Sequence, residues 1–467
     1  MDLFIGRKSE LEKLNELYSK NVFQFPVIYG RRRVGKTALI NEFIKDKEAI
    51  FFTGIESNAK QNLENLSKSI LSYAGGLLDS TVFPSFQAAL EYVFKLAETK
   101  RIVFVIDEYP YVAKVSKSLA STLQMLIDRN KGNSKLFLLL CGSSMSFMEN
   151  HVLAYKAPLY GRRTAQFKIL PFNFFECKSF FLNASNLDAA IYYGIVGGTP
   201  QYLMQIDDEL TVEENIKQCF LVPSSPLFEE PGNLLKQEVR ECAAYNAIIS
   251  AIATGSTKLS EISSKVGEGT SVCAAYVKNL ISLGIIKKEK PFLSKSTRKS
   301  IYKIDDNLFR FWHRFIPGNI AAINRGFIDA AYKTIVENIN AYMGVVFEDI
   351  CITYLWKLRA KGDSALDFTD IGRWWGSDPV KKSEAEIDIM GTDGKNSALY
   401  CECKWTNENI DTGVLSALVD RSRLFQYEKT GYYLFAKNGF TIGCKEKAAN
   451  LGNVSLVAFE EMAKAFT

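Results

Sequence analysis

Histidine is almost missing from this chain: His151 and His313 are the two that occur in 467 residues. Nine cysteines are scattered along it without a CxxC pair. These shortages argue against structural zinc and against a disulfide framework, and they fit a reducing, cytoplasmic setting. Long apolar runs are lacking too. "IVFVI" and "LFLLLC" fall far short of the roughly 20 residues that a membrane span needs, so no membrane is expected as a partner. The stretch "MDLFIGRKSELEKL" shows no signal-peptide pattern. Charge of one sign is not in large excess. A net +5 permits a polyanionic partner without demanding one. What is present, 47% hydrophobic and 23% charged residues, is the composition of a folded chain. The length exceeds what one core supports and suggests about three domains.

Residues 25–44 read "FPVIYGRRRVGKTALINEFI". An apolar strand enters Gly30-x4-Gly35-Lys36-Thr37, and a helix follows with Leu39, Ile40, Phe43 and Ile44 on its inner face. This is a phosphate-binding loop in the strand-to-helix context it requires. Glycines let backbone N–H groups turn inward around phosphates, and the helix N-terminus adds positive partial charge. The cradle is expected from Gly30, Arg31, Arg32, Arg33, Val34, Gly35, Lys36, Thr37 and Ala38. Lys36 is expected to reach the β- and γ-phosphates, and the Thr37 hydroxyl to ligate Mg2+. "RIVFVIDEYP" at 101–110 then ends an apolar strand in two acids. Asp107 is expected to hold Mg2+ and Glu108 to polarise the attacking water. "KLFLLLCGSS" at 135–144 brings Ser143 or Ser144 beside the γ-phosphate. With strands at 49–55 and 165–172, the pattern predicts an α/β fold with a five-stranded, mostly parallel sheet and helices between. No N-K-x-D segment that reads guanine is present, so ATP is the expected nucleotide. Ser9 and Glu12 read as an S-x-x-E capping box opening an amphipathic helix.

Taken in order, "FIGRKSELEKL", "GRRRVGKT", "VIDEYPYV", "LCGSSMSFM", "PLYGRR" and "GGTPQYL" resemble the archaeal-type ATPase family of the AAA+/STAND group, over about residues 1–235. The resemblance implies that Phe4, Ile5, Gly6 and Arg7 lie near the adenine. It implies that Pro200, in Gly198-Thr199-Pro200, closes over the nucleotide from a helical lid. One of Arg162 and Arg163 would act as an arginine finger, in cis or from a neighbouring subunit, which leaves a homo-oligomer or a protein partner open. The expected organisation is an ATPase core at 1–171, a lid at 172–240, a winged helix at 241–315 and a nuclease-like domain at 316–467.

The winged-helix expectation comes from three helical patterns in quick succession, "NAIISAIATG", "KLSEISSKVG" and "TSVCAAYVKNLISLGII", with Gly255 and Gly267 at the turns. A hairpin-like stretch, "KKEKPFLSKSTRKSIYKI", follows. Residues 285–303 hold seven Lys or Arg against one Glu, a patch suited to phosphates. The third helix offers Thr270, Ser271, Ala274, Ala275 and Lys278, which are poor readers of base edges. Sequence-tolerant DNA binding and intramolecular packing are both open for this segment.

After "LFRFWHRF", Pro317 and Gly318 mark a boundary before a long helix whose buried face steps through Val346, Ile350, Tyr354 and Leu358, with Glu348 on an adjoining face. In "AEIDIMGTD" at 385–393, alternation sets Glu386 and Asp388 on one side and Ile387 and Ile389 on the other. Gly391, Asp393 and Gly394 make the turn. In "SALYCECKW", Glu402 and Lys404 share one face while Cys401, Cys403 and Trp405 share the other. A helix with Leu415, Leu418, Leu424 and Phe425 and a strand "GYYLFAK" complete the order. This order resembles the core of the PD-(D/E)xK nuclease superfamily and the uncharacterised domain that often follows archaeal-type ATPases. The resemblance implies that Asp388 and Glu402 hold Mg2+ or Mn2+, that Lys404 positions a water or stabilises the phosphate oxygens, and that Glu348 assists. The superfamily's proline is absent, Glu386-Ile387 standing before Asp388. The expected protein is an ATP-hydrolysing switch coupled to a DNA-directed, metal-dependent nuclease-like domain. The rival is a DNA- or protein-binding ATPase with no nuclease activity.

Overall fold

The structure, a computed structural model, describes residues 4–75, 81–296 and 299–466. The chain divides into two compact units, Met1–Pro171 with Thr199–Gln201, and Phe172–Gly198 with Tyr202–Thr467.

The first unit is built on β1 (Pro26–Tyr29), β2 (Ala49–Thr53), β3 (Val103–Asp107), β4 (Phe137–Gly142) and β5 (Ala165–Lys168). They lie in the order β2-β3-β4-β1-β5, with every neighbouring pair parallel. Every residue of β1, β3 and β4 is buried, which is why these strands read as unbroken apolar runs. Alternation then divides them between two cores. Val27, Tyr29, Phe104 and Leu138 face one, and Ile28, Val105, Leu139 and Cys141 face the other. The helix Lys36–Ile44 covers the second face with Leu39, Ile40 and Phe43. The helix Lys8–Ser19 starts two residues too early for the expected capping box. Its cap is Arg7, in the left-handed region at φ 56°, so Ser9 falls inside the first turn and bonds Glu10 instead.

The second unit opens with short helices around Asn186–Val196, then Cys242–Ala253, Leu259–Val266 and Thr270–Ser282. Gly255 and Gly267 follow the helix ends with φ of 101° and 77°, values that favour glycine. An antiparallel hairpin, β6 (Ile286–Glu289) with β7 (Ile301–Ile304), closes a small core around Ile248, Ile262, Val277 and Leu280. Arg298 of the basic stretch lies outside the described residues. The helix Asn307–Phe315 serves two cores at once: Phe309 enters the small one, while Leu308, Phe311 and Phe315 pack with Met343, Val346 and Phe347 of the helix Ile339–Lys361.

A second sheet runs β12-β11-β10-β9-β8, from β8 (Asp370–Asp378), β9 (Ser383–Thr392), β10 (Ser397–Lys404), β11 (Lys429–Ala436) and β12 (Val454–Ala458). β8, β9 and β10 are antiparallel neighbours. β10, β11 and β12 are parallel, connected through helices Thr412–Ser422 and Ile442–Leu451. β10 alternates as its sequence suggests, Leu399, Cys401 and Cys403 in one core and Ala398 and Tyr400 in the other. β9 does not. Ile387 packs with Met390 and Tyr400, whereas Ile389 packs with Leu399 and Cys401. The cause is a slip in register: Gly372 pairs with Met390 but Trp374 with Ile387, so two residues of β9 oppose Arg373. Such a bulge breaks the alternation that would have tied Asp388 to Glu386. Gly391 lies inside β9, opposite Leu399, and the turn belongs to Asp393, whose Oδ1 accepts the Lys395 and Ser397 N–H groups at 2.8 and 3.0 Å. Among the described residues no helix is long and apolar enough to cross a membrane.

Within the second unit, Phe172 N–H donates to Gly198 O at 2.7 Å, and a Cβ on Gly198 would stand 1.7 Å from Phe172 O. Gly198→Ala is therefore expected to lower the unfolding free energy by about 3 kcal/mol. Gly232→Ala, in a helix with nothing within 4 Å of the new methyl, is expected to be neutral or to stabilise by up to about 1 kcal/mol. Chemical denaturation of the two variants checks both.

Candidate functional site

β4 lies between β1 and β3, so three strand ends meet at one edge of the first sheet. The loop after β1 passes so close to β5 that a Cβ on Gly30 would stand 2.4 Å from Ile169 O. Arg33 and Gly35 take φ of 71° and 88°, which turns successive backbone N–H groups to one side, as an anion cradle requires. Val34 is buried, while Thr37 and Ala38 stand at the exposed start of the helix. Lys36, 6% exposed, donates to Arg31 O at 2.9 Å. Thr37 Oγ1 donates to Asp107 Oδ2 at 3.0 Å, joining the loop to the end of β3 across β4. Asp107 Oδ1 accepts the Glu108 N–H at 2.9 Å. Glu108 itself has φ 48°, an unfavourable value for a residue with a Cβ, of the kind that gathers at working sites. Its carboxylate accepts from Ser143 Oγ at 2.8 Å, so Ser143, not Ser144, meets the acid.

Around this edge, Arg31 Nη2 donates to Thr199 Oγ1 at 3.0 Å, and Pro200 Cγ lies 3.6 Å from where a Gly35 Cβ would be. Arg32 Nη2 donates to Tyr111 Oη at 2.7 Å, a partner that no motif marks. Arg7 donates to Val34 O at 3.1 Å and to Leu170 O, bracing the loop from behind. Phe4 packs at the rim of the Leu14–Phe43 core, Ile5 is half-buried, and Gly6 takes φ 72°. Of the two candidate fingers, Arg162 is held by both Asp128 oxygens, Nε at 3.0 Å from Oδ1 and Nη2 at 2.6 Å from Oδ2. Arg163 makes a long 3.4 Å bond to Leu153 O and lies over the Tyr160 ring. Its charge reaches Tyr29, the residue before Gly30, where it offsets part of the rise that burial imposes on that phenol.

The second set of residues gathers on the β9–β10 pair. Asp388 Oδ2 accepts the Cys403 N–H at 2.8 Å. Glu402, 4% exposed, has both oxygens engaged: Oε1 accepts from Lys404 Nζ at 2.7 Å, and Oε2 from Arg421 Nη2 at 2.9 Å. Arg421 also donates to Glu386 O. It belongs to no recognisable motif, and in the last turn of Thr412–Ser422 it reads as an ordinary cation at a helix C-terminus. Burial, then the charge of Asp388, pushes the Glu348 carboxyl up to about 7, and Arg373 pulls against the rise. Burial and the neighbouring Glu402 push Asp388 up to about 6. Asp388, Glu402, Lys404 and Glu348 thus come together, but as arranged they do not fit Mg2+ or Mn2+, because two cations, Lys404 and Arg421, already offset the charge of Glu402. Among the described residues no group of three or more His, Cys, Asp or Glu stands ready to hold a metal ion.

The β6–β7 hairpin is a separate two-stranded sheet whose connecting segment packs on this one. Phe292 is buried with Ile387, Met390 and Tyr400, and its N–H donates to Arg373 O at 2.8 Å. Lys287 Nζ is 3.0 Å from Asp349, 3.2 Å from Glu289 and 3.4 Å from Asp305, while Lys303 pairs with Glu289 at 3.2 Å. Lys287 and Lys303 of the basic stretch therefore point into an internal ion network. A groove of about 650 Å³ remains beside it, lined by Lys258, Lys299, Lys303, Arg373 and Trp375 among others.

Comparison with known proteins adds the following. Residues 4–206 match a family described as an ATPase domain predominantly from Archaea, and residues 312–414 match one described as archaeal and bacterial proteins of unknown function. An uncharacterised protein of Methanocaldococcus jannaschii is 34% identical over 408 residues, 86% of this chain and 88% of its own. An uncharacterised ATP-binding protein of the same organism is 46% identical over 46 residues, 10% of this chain and 78% of its own. Among solved structures, the Walker-type ATPase of Pyrococcus abyssi superposes with a TM-score of 0.51 at 19% identity, over 67% of this chain and 96% of that one.

The raised Glu348 carboxyl has a consequence for stability. Between its ordinary 4.5 and about 7, the folded protein keeps a proton that the unfolded chain has released. Stability therefore falls as pH rises through that window, and Asp388 acts in the same sense up to about 6. Glu348→Gln is expected to leave stability at pH 5 nearly unchanged and to raise it at pH 8 by roughly 2 kcal/mol, a figure reduced for partial solvent screening. Chemical denaturation of both proteins at the two pH values checks it.

Proposed function

This chain belongs to the archaeal-type ATPase family, and we propose that it is an ATP-hydrolysing switch whose nucleotide state governs a nucleic-acid-directed, nuclease-like C-terminal domain. The observation that carries the ATPase reading is the 3.0 Å bond between Thr37 Oγ1 and Asp107 Oδ2. It unites the hydroxyl and carboxylate that a phosphate-bound Mg2+ requires. Bound there, Mg2+ would neutralise charge on the β- and γ-phosphates. Gly30 to Ala38 cradle the phosphates, Lys36 exchanges Arg31 O for phosphate oxygens, and Phe4 to Gly6 border the adenine. Glu108 orients the attacking water and Ser143 fixes the Glu108 carboxylate. Arg163 is the better finger, since Asp128 already occupies Arg162. The route to the rest of the chain starts at Thr199, which Arg31 touches and which stands in sequence between two segments of the second unit.

For residues 241–315, a winged helix used for packing accounts for the buried Phe292 and the internal Lys287 and Lys303. Nucleic acid is assigned instead to the groove along Lys258, Lys299, Arg373 and Trp375, where cations flank an aromatic face. The 316–467 segment is read as nuclease-like because an antiparallel strand pair, a helix and a parallel strand bring Asp388, Glu402, Lys404 and Glu348 together. A second reading, a domain that binds nucleic acid without cutting it, draws support from the engaged oxygens of Glu402.

ATP turnover and DNA cleavage test these assignments separately. Lys36→Ala is expected to abolish turnover, and Glu108→Gln to retain ATP binding while slowing hydrolysis at least about 100-fold. Arg163→Ala is expected to slow it about 1,000-fold while Arg162→Ala leaves kcat within a few-fold. Turnover retained in Lys36→Ala would refute the nucleotide site. Cleavage of linear and circular DNA by the wild type, lost in Lys404→Ala, supports the nuclease. If both proteins leave DNA intact while binding it, with affinity falling steeply in salt, the binding reading holds.

A further inference from the structure

Of the five tryptophans, four are held by the fold. Trp312 Nε1 donates to Phe228 O at 2.6 Å, and Trp356, Trp374 and Trp405 pack against the rings of Phe368, Phe425 and Phe347. The fifth is Trp375. Among the described residues no ring, cation or hydrogen-bond acceptor meets its indole. It stands half-buried on β8, the edge strand of the second sheet, opposite Glu386 of β9. Trp375, Gly376, Ser377 and Lys299 line two adjoining hollows, one of about 650 Å³ and one of about 540 Å³. The trough therefore runs on past Lys299 instead of closing behind it. Its other wall is the second arm of the hairpin, where Lys299, Ile301 and Lys303 are alternate residues.

Charge in this trough is graded with depth. Arg373 and Lys303, 24% and 20% exposed, are offset by Glu386 and Glu289. At the rim, Lys299 is exposed, and Lys258 is 64% exposed with a long 3.8 Å pair to Glu261. A near-neutral floor carrying an aromatic ring, under a positive rim, suits a base turned inward with its phosphates turned outward. Glu384, opposite Ser377, repels phosphates from the sheet side and favours a backbone running along the hairpin.

We infer that this trough takes single-stranded nucleic acid, with one base stacked on Trp375 and the adjoining phosphates on Lys258 and Lys299. In a duplex each base is covered on both faces by its neighbours, which leaves the rim cations as the only contacts. A free nucleotide fills one hollow and leaves the other empty, whereas a strand passes through both. The inference rests on the assignment of nucleic acid to this groove and narrows it to a strand with unstacked bases.

The test is the fluorescence anisotropy of a labelled oligothymidylate, and of a blunt dT·dA duplex of the same length, titrated at low salt with the full chain without ATP. The wild type is expected to bind the single strand at least about tenfold more tightly than the duplex. Trp375→Ala is expected to weaken the single strand at least about tenfold and the duplex less than about twofold. Lys299→Ala is expected to weaken both, and to reduce the single strand's logarithmic salt slope by about 0.7. Trp375→Phe keeps a stacking face, so it is expected to bind within a few-fold of the wild type while losing the tryptophan quench that the strand produces. A duplex bound as tightly as the single strand, with both weakened by Lys299→Ala and neither by Trp375→Ala, overturns the inference and leaves the groove as a phosphate-binding site. Binding that none of the variants alters, or no binding at low salt, overturns both. Thymidine monophosphate competing as well as the oligonucleotide overturns the strand in favour of a free nucleotide. If Trp375→Ala fails to fold, Trp375→Phe decides: a quench as large as that of the wild type overturns the inference.

Discussion

The bond between Thr37 and Asp107 spans a strand that belongs to neither of them. β4 separates the strand that launches the phosphate loop from the strand that ends in the acids, and the hydroxyl and carboxylate meet over its end. Much else in the first unit serves that meeting. β4 must end in small residues: a Cβ on Gly142 would stand 2.7 Å from Met148 Sδ and 2.9 Å from Pro110 Cδ. Ser143 then emerges between loop and acid and takes hold of Glu108. Arg7 gives up a conventional helix cap to support Val34 O, and the resulting left-handed residue is part of what holds the loop in position.

In the second unit the governing constraint is charge. Carboxylates are packed against strand β10 where burial raises the cost of ionising them, and the cations that offset this come from separate elements. Lys404 is on the strand itself, Arg421 on the helix after it, and Arg373 opposite the bulge in β9. The hairpin's lysines meet the same logic a short distance away, where Asp349 and Glu289 bind Lys287 and pull it out of any external patch. A positive stretch in a sequence thus becomes an internal strut when acids from a neighbouring helix face it.

The phosphate loop and the acidic strand end were legible because each depends on local residues: glycines where the backbone must turn, apolar runs where both faces of a strand are covered. β1, β3 and β4 follow from that, while β2 and β5 are only partly buried. β10 was legible for the same reason. β9 was legible as a strand but not in its alternation, since its bulge is imposed by pairing with β8, whose glycine- and tryptophan-bearing stretch did not read as a strand at all. Arg421 escaped because nothing near it in sequence hints at Glu402, 19 residues earlier. Arg162 and Arg163 are equivalent as letters, and Asp128, 34 residues before Arg162, is what tells them apart.

The account stands or falls on the Thr37 hydroxyl, which it makes the link between loop, acid and metal. The direct measurement is Mg2+-dependent ATP turnover by Thr37→Ser and Thr37→Val. Serine keeps the hydroxyl and valine keeps the shape without it. The account predicts turnover within a few-fold of wild type for Thr37→Ser and a loss of at least about 100-fold for Thr37→Val in a protein that still folds. Turnover in Thr37→Val equal to that of the wild type would contradict it.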